Sequence, residues 1–277
     1  MKVLFRNFIK LLSIGAFDSK DTTEPMSEYK WNQLLVLAEK CEVKEFVYTG
    51  ILRTCGQCST LIPQGIYEKA QTCKFTNKAV SSVIGNKTKY NLHKQVKKFA
   101  NFYLNRKYNQ IVFDEIHSID TSVDSLVFLD KLVTNIDVLI NAGLNFQLLF
   151  ELGFYLRENG DKVDFVKIEN WIKILKLNKM SSLIGYYLAF FFHFSDAELP
   201  FLKHSNKKNE KTALNILEVT LCSSTKPTMA NGAGTHQSIN PIAKPDAHPL
   251  KYFSYCPLET SSRFIANIIK SLSNIDE

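Results

Sequence analysis

The chain has 277 residues, 45% of them apolar and 22% charged, and its 34 basic and 27 acidic side chains give a formal net charge of +7. These values are ordinary for a globular protein of one large or two small domains, and the charge surplus permits nucleic-acid or membrane-surface binding without requiring either. Six cysteines in a chain of this length exclude a dense disulfide framework and favour reduced thiols in the cytoplasm.

The first apolar segment predicts an amphipathic helix over about residues 2–14. Lys10 interrupts its apolar run and no small-residue cleavage site follows, so a signal peptide is the less favoured interpretation. The apolar residues recur at helical spacing: Leu4, Phe8, Leu11 and Leu12.

Helical patterns continue to residue 106. Ser27 has the position of an N-cap, because its hydroxyl can accept a hydrogen bond from an amide of the next turn. Further helices are predicted over residues 44–52 and 66–106, the second with a break near Gly85. Four residues near the end of that segment form a predicted core stripe: Leu92, Val96, Phe99 and Tyr103.

The best strand candidate is Ile-Val-Phe at residues 111–113, and it predicts at most a small vestigial strand pair near residues 108–116. From residue 121 a long amphipathic helix follows, which Gly143 ends as a left-handed cap would. Asn145 is placed at the start of the next helix, and Asp164 is placed as the cap of the one after it.

An apolar run at residues 183–192 is too short to cross a bilayer, which takes about 20 residues, so it predicts a buried helix and no membrane association. Residues 222–249 contain four of the eight prolines and show no periodicity, which indicates a flexible loop. The fold class predicted is mainly α, a multi-helix bundle. Its predicted regions are an N-terminal helical region (1–110), a central bundle (111–221), the loop (222–249) and a C-terminal helix that packs back (250–277).

The pair Cys55 and Cys58 forms a CxxC motif, which can bind zinc or carry out redox chemistry. A redox pair favours the start of a helix after a strand, whereas this pair follows a predicted helix. Zinc needs four ligands. Cys73 could be the third and His93 the fourth, but the chain has no second pair of ligands at close spacing. We therefore interpret the motif as two loop cysteines.

Two other motifs are weak. Gly232 and Gly234 resemble the start of a dinucleotide-binding GxGxxG sequence, but Gln237 replaces the last glycine and neither strand nor helix flanks it. His193 lies in an apolar helical pattern, which favours a hydrogen-bonded core histidine over a metal ligand.

The densest group of titratable residues lies between Asp114 and Asp124 and includes His117 and Asp120. Carboxylates beside a histidine can hold a metal ion or transfer protons. The alternative, which we favour, is that Asp120 and its neighbours cap the following helix, since acids stabilise its positive end.

The stretch from Lys87 to Lys107 interleaves basic residues with aromatic ones, a pattern that can bind nucleic acid by backbone contacts and base stacking. Several of the aromatic residues fall on the predicted core stripe. A solvated helix face is therefore the preferred interpretation. The aromatic residues are Tyr90, Phe99, Phe102 and Tyr103.

Several segments resemble the helical parts of an uncharacterised nucleotidyltransferase family of Bacteroidales-type bacteria. The resemblance covers a little over half the chain and lies in residues 5–52 (with Trp31 and Tyr-Thr-Gly-Ile-Leu at 48–52), 143–156, 160–165, Trp171, 198–200 and 251–259. Such a family implies a transferase that holds Mg²⁺ with two carboxylates one residue apart on a strand. The chain contains no Asp-x-Asp, so no site residue of the family is carried over.

These observations predict no catalytic, cofactor-binding or metal-binding residue. The function expected is that of a non-catalytic helical binding or adaptor protein in the cytoplasm, with a protein partner. Two alternatives remain: a divergent Mg²⁺-dependent nucleotidyltransferase that uses the acids at 114–124, and a helical protein that binds nucleic acid through the lysines at 94–107.

Overall fold

The structure is a computed structural model that describes residues 2–55, 62–72, 98–202, 207–225 and 252–273. The secondary structure of these residues is helical, without a strand, and the prediction of a mainly α, multi-helix protein is confirmed. A short 3-10 turn occupies Gly160–Lys162. The α-helices are α1 (Val3–Phe17), α2 (Glu28–Lys40), α3 (Lys44–Cys55), α4 (Gln64–Thr72), α5 (Phe102–Ile116), α6 (Val123–Ala142), α7 (Phe146–Asn159), α8 (Phe165–Ile174), α9 (Asn178–Phe192), α10 (Lys207–Thr225) and α11 (Pro257–Ser273).

The predicted strand at residues 111–113 is wrong, because these residues form the last part of α5. Three consecutive apolar residues suggested a buried strand, but only Ile111 among them is buried, and Phe113 is 61% exposed. The pattern that decides is the helical spacing of the buried side chains Leu104, Tyr108, Ile111 and Glu115.

The chain divides into two compact units, each made of pieces that are distant in sequence. Unit 1 comprises Met1–Val83, Phe191–His193 and Leu214–Pro245, and unit 2 comprises Ile84–Phe190, Phe194–Ala213 and Asp246–Glu277. The four regions drawn from the sequence, 1–110, 111–221, 222–249 and 250–277, stay predictions.

Unit 1 is built on a close crossing of α1 and α3 through two glycines. A Cβ atom added at Gly15 would lie 1.8 Å from the carbonyl oxygen of Phe46, and one added at Gly50 would lie 2.2 Å from that of Leu11. The contact is reciprocal, since each glycine faces a carbonyl four residues before the other. Arg53 donates to the carbonyl of Ile14 at 2.7 Å and to that of Gly15 at 3.2 Å, which gives the last turn of α1 a side-chain donor.

A buried asparagine holds the segment that follows α1. The side chain of Asn7, which is fully buried, accepts a hydrogen bond from the Glu24 amide at 2.8 Å and donates to the Glu24 carbonyl at 2.7 Å. Arg6 and Lys10 contact the Glu24 carboxylate, at 2.6 and 3.2 Å. The side-chain hydrogen bond from Arg6, followed by that from Lys10, lowers the pKa of Glu24 to about 2.

Unit 2 is built around α6, which buries apolar side chains from Leu126 to Ile140. Helix α7 returns beside α6, and Asn135 of α6 donates to the carbonyl of Leu148 at 3.1 Å. The rings of Phe128 and Phe201 lie 5.4 Å apart in the same core. The predicted buried helix at 183–192 is confirmed as part of α9, and among the described helices none is long and apolar enough to cross a membrane.

The helix caps show which sequence signals were reliable. Asn145 accepts from the Leu148 amide and Asp164 accepts from two amides of α8, so both predicted starts are confirmed. Ser27 lies at the N-cap of α2, but its side chain makes no capping hydrogen bond. Gly143 ends α6 at φ 93° and ψ −168°, which is a positive φ but not the left-handed helical conformation predicted.

Candidate functional site: the outward face of helix α5

The acidic group at residues 114–124 is engaged in holding helices in place. Glu115 is 7% exposed, and its carboxylate accepts from the Lys167 ammonium at 2.8 Å and from the Ser122 amide at 2.7 Å. The Lys167 ammonium also donates to the carbonyl of Asp120. The hydrogen bond to Glu115 is the main cause that raises the pKa of Lys167, so this ammonium keeps its proton at neutral pH.

The remaining acids of this group do not converge. Asp114 and Asp120 are exposed, and Asp124 accepts from the hydroxyl of Tyr155 at 3.1 Å. Burial and then the Asp124 carboxylate raise the pKa of Tyr155. The cap of α6 is Ser122 rather than Asp120, and within the described ranges no three His, Cys, Asp or Glu side chains are placed to hold a metal ion.

Four of the other sequence candidates lie outside the described residues together with His93: Cys58, Cys73, Gly232 and Gly234. Cys55 is the last residue of α3, so its interpretation as a loop cysteine is wrong.

His193 is described, and the core interpretation of it is wrong, because its side chain is 54% exposed just after α9. Its hydrogen bonding is confirmed, since Nε2 lies 2.8 Å from Oδ2 of Asp21. Residue 193 has φ 57°, a conformation in which the chain leaves the helix and turns its side chain outward.

A network of charges joins the start of α5 to α6 and α11. Glu259, 1% exposed, accepts from the amides of Ala100 and Asn101 at 2.8 and 3.0 Å, and it pairs with Arg263 at 2.6 Å. Arg263 also pairs with Asp137 of α6. Each charged group in this network has a partner of opposite sign, which indicates a structural connection between the three helices.

Lys98 belongs to the same region, and the expectation that it lies on a solvated face is wrong. Its ammonium is 2.8 Å from Asp130 and 3.1 Å from the hydroxyl of Thr134, and its side chain is only 20% exposed. Tyr108 donates to the same Asp130 carboxylate at 2.7 Å. This lysine therefore positions the chain that enters α5.

The opposite side of α5 is exposed and carries large apolar groups. Asn101 caps the helix, and the buried stripe of α5 fixes its orientation in unit 2. Phe102 is 81% exposed and Phe113 is 61% exposed. They line a groove of about 430 Å³ together with Asn105, Arg106, Asn109 and Gln110. We call these six residues the outward face of α5.

One pair of side chains lies beside this outward face, and a second pair includes one of its residues, Phe113. The ammonium of Lys107 lies 5.9 Å from the centre of the Tyr103 ring, and the rings of Phe113 and His117 are 4.1 Å apart. The core stripe predicted from the sequence is correct for Phe99, which is 3% exposed, and wrong for Tyr103, which is 51% exposed. The aromatic residues of the basic stretch therefore divide between the core and the surface.

Sequence reasoning treated the aromatic residues of this stretch together and did not separate the outward face. The signal was present in the spacing. Phe102, Arg106 and Phe113 follow one another at i, i+4 and i+11, on the side of the helix away from Leu104 and Tyr108. This pattern becomes visible only when a helix is taken to begin at residue 102 and to continue to residue 116.

Comparison with protein-family models, with curated proteins and with solved structures finds no match to this chain.

Proposed function

We propose that this protein is a non-catalytic helical adaptor of the cytoplasm and that it binds a protein partner on the outward face of α5. The observation that carries the proposal is the exposure of two phenylalanines beside an arginine in one groove. Aromatic residues and arginine are enriched at the centres of protein interfaces and supply most of the binding energy there.

The state of the polar groups supports a binding role over a catalytic one. The Glu115 carboxylate is bound by an ammonium and a backbone amide, and the Asp124 carboxylate by a phenol. Burial raises the pKa of the Cys256 thiol to about 11, so the nucleophilic thiolate is scarce at neutral pH. These groups stabilise the fold and are poorly disposed to act on a substrate.

The resemblance to the helical parts of a nucleotidyltransferase family is compatible with this proposal. The segments that carry it include residues 143–156, which follow α6 and contain most of α7, and residues 251–259, of which 257–259 begin α11. In this view the chain retains a related helical scaffold and uses it for binding.

Site-specific photo-cross-linking tests the proposal. Benzoylphenylalanine is placed at position 102 or 113 in the full chain, and at position 253 as a control, since Phe253 is a phenylalanine that is 50% exposed outside any α-helix. We expect the same protein to be cross-linked from 102 and from 113 in cells, and not from 253. Cross-links that form only within the chain itself would contradict the proposal, because the groove would then be filled by its own protein.

A second candidate, nucleic-acid binding, is favoured by the same aromatic and basic side chains, with Arg106 and the Lys107–Tyr103 pair as contacts for phosphates and bases. It makes a different prediction. A single-stranded RNA oligonucleotide would bind with an affinity that falls steeply as salt rises, and Phe102→Ser would weaken it. Adaptor function predicts protein cross-links and no such RNA binding.

A further inference from the structure

We infer that the partner docks on the outward face of α5 with an amphipathic helix that presents one acidic side chain between two apolar ones. This inference rests on the proposed function and specifies the chemistry of the partner. It follows from the charge of the face and from the spacing of its apolar groups.

The charge of the face favours an acidic side chain on a partner that covers it. Arg106 is the one formally charged residue among the six that line the groove, and it has no ion pair among the described residues. The nearest exposed acid of α5, Asp114, follows Phe113 toward the flank of the helix. A guanidinium that is covered by a partner loses its hydration, and a carboxylate compensates this loss best because it fits the planar fork with two hydrogen bonds.

The spacing of Phe102 and Phe113 along the axis of α5 sets the length of helix with which a partner makes contact. They lie eleven residues apart on one helix, which corresponds to about 16 Å along the axis at 1.5 Å per residue. Arg106 lies about 6 Å along the axis from Phe102 and about 10 Å from Phe113. A partner helix aligned with α5 therefore carries apolar residues about three turns apart, with its acid one turn from one of them.

The polar residues of the groove suit such a helix. Asn109 is half-buried and Gln110 is exposed, and neither side-chain amide has a hydrogen-bond partner among the described residues. Each amide both donates and accepts, so it can pair with polar side chains on the edge of the partner helix. The groove thus offers two apolar contacts, one cation and two amides, which matches one amphipathic surface.

Selection from a displayed peptide library tests the inference. The purified full chain is the bait, and the enriched peptides are measured against Arg106→Glu and against Lys30→Glu, an exposed lysine of α2 whose reversal makes the same change of net charge. We expect enriched peptides with an acid one turn from an apolar residue. Arg106→Glu should weaken the binding of these peptides at least tenfold, whereas Lys30→Glu should change it less than twofold. A peptide in which lysine replaces the acid should bind the Arg106→Glu variant again.

The outcomes separate the inference from the proposed function. Peptides that lose binding on Phe102→Ser and Phe113→Ser, but are insensitive to Arg106→Glu, would overturn the acidic partner and leave the adaptor function standing. Absence of any peptide that depends on the two phenylalanines would overturn the inference. The cross-links from positions 102 and 113 then decide the adaptor function. RNA cross-linked from these positions in place of protein would overturn both the inference and the adaptor function.

Discussion

The close crossing of α1 and α3 predicts that alanine cannot replace either of its two glycines without loss of stability. In Gly15→Ala the new methyl group would lie 1.8 Å from the Phe46 carbonyl oxygen, whereas ordinary contact begins at 3.4 Å. The obstructing atom belongs to the backbone and cannot rotate away, so the helices must separate by about 1.6 Å. Gly50→Ala produces the reciprocal collision with Leu11 at 2.2 Å.

The magnitude follows from two opposing effects. Overpacking costs about 3 kcal/mol when the neighbour cannot yield, which is the upper end of the usual range, and the better helix propensity of alanine returns about 1 kcal/mol. We therefore expect each substitution to lower the free energy of unfolding by about 2 kcal/mol. The double variant should lose less than the sum, because one separation of the helices accommodates both methyl groups.

The assay is urea unfolding followed by the fluorescence of Trp31, which is fully buried in unit 1, in a background in which Trp171 is replaced with phenylalanine. Gly65→Ala is the matched control. A Cβ atom there meets nothing within 4 Å, so this variant should be unchanged or more stable by up to about 1 kcal/mol. The reasoning is refuted if Gly15→Ala is as stable as Gly65→Ala.

Three further predictions concern charges and caps. Glu259→Ala leaves the amides of Ala100 and Asn101 without an acceptor and removes one of the two carboxylates that pair with Arg263, so it should cost about 3–5 kcal/mol in thermal or urea unfolding. Glu39→Ala removes an exposed ion pair and should cost about 1 kcal/mol or less. Equal losses would contradict the buried network. Asp164→Ala should lower the free energy of unfolding by about 1 kcal/mol and Ser27→Ala should leave it almost unchanged, because only the aspartate accepts capping hydrogen bonds. Thermal or urea unfolding measures both, and a larger loss for Ser27→Ala would be inconsistent with these caps. The pKa of Glu24 is lowered to about 2 from 4.5 in the folded protein, so this carboxylate stabilises the fold above pH 4.5, and the stabilisation is lost as the pH falls toward 2. Glu24→Gln should therefore be less stable than the wild type at pH 7. In acid unfolding curves the difference between the two proteins should vanish near pH 2.

The fold class was accessible from the sequence because helical periodicity is a local property. Asn145 and Asp164 were identified as helix starts because a short polar side chain just before an apolar helical pattern is typical of an N-cap, where it accepts hydrogen bonds from the first amides. The strand predicted at 111–113 failed because a run of three apolar residues carries no period. Only the longer spacing from Leu104 to Glu115 shows that the segment is helical.

The polar contacts depend on tertiary structure that the sequence does not display. Glu259 accepts from amides more than 150 residues earlier, and Lys167 pairs with Glu115 52 residues earlier. Gly15 and Gly50 were not distinguished from other glycines, since their role arises only when two helices cross at those positions.

The outward face of α5 could be predicted only with knowledge of which side of the helix is buried. The sequence supplies Phe102, Arg106 and Phe113 at helical spacing, but exposure depends on which side of the helix unit 2 covers. The burial of Leu104 and Tyr108 decides this, and it turns an aromatic and basic stretch into a defined surface.

Titration calorimetry with the protein that is cross-linked from position 102 tests the outward face of α5 most directly. We expect the Phe102→Ser/Phe113→Ser variant to bind this protein at least 30-fold more weakly than the wild type, because the two side chains together contribute about 2 kcal/mol to binding. Phe253→Ser should bind like the wild type. Equal affinities of the double variant and the wild type would show that the partner binds elsewhere and would contradict the assignment of the outward face of α5 as the binding surface.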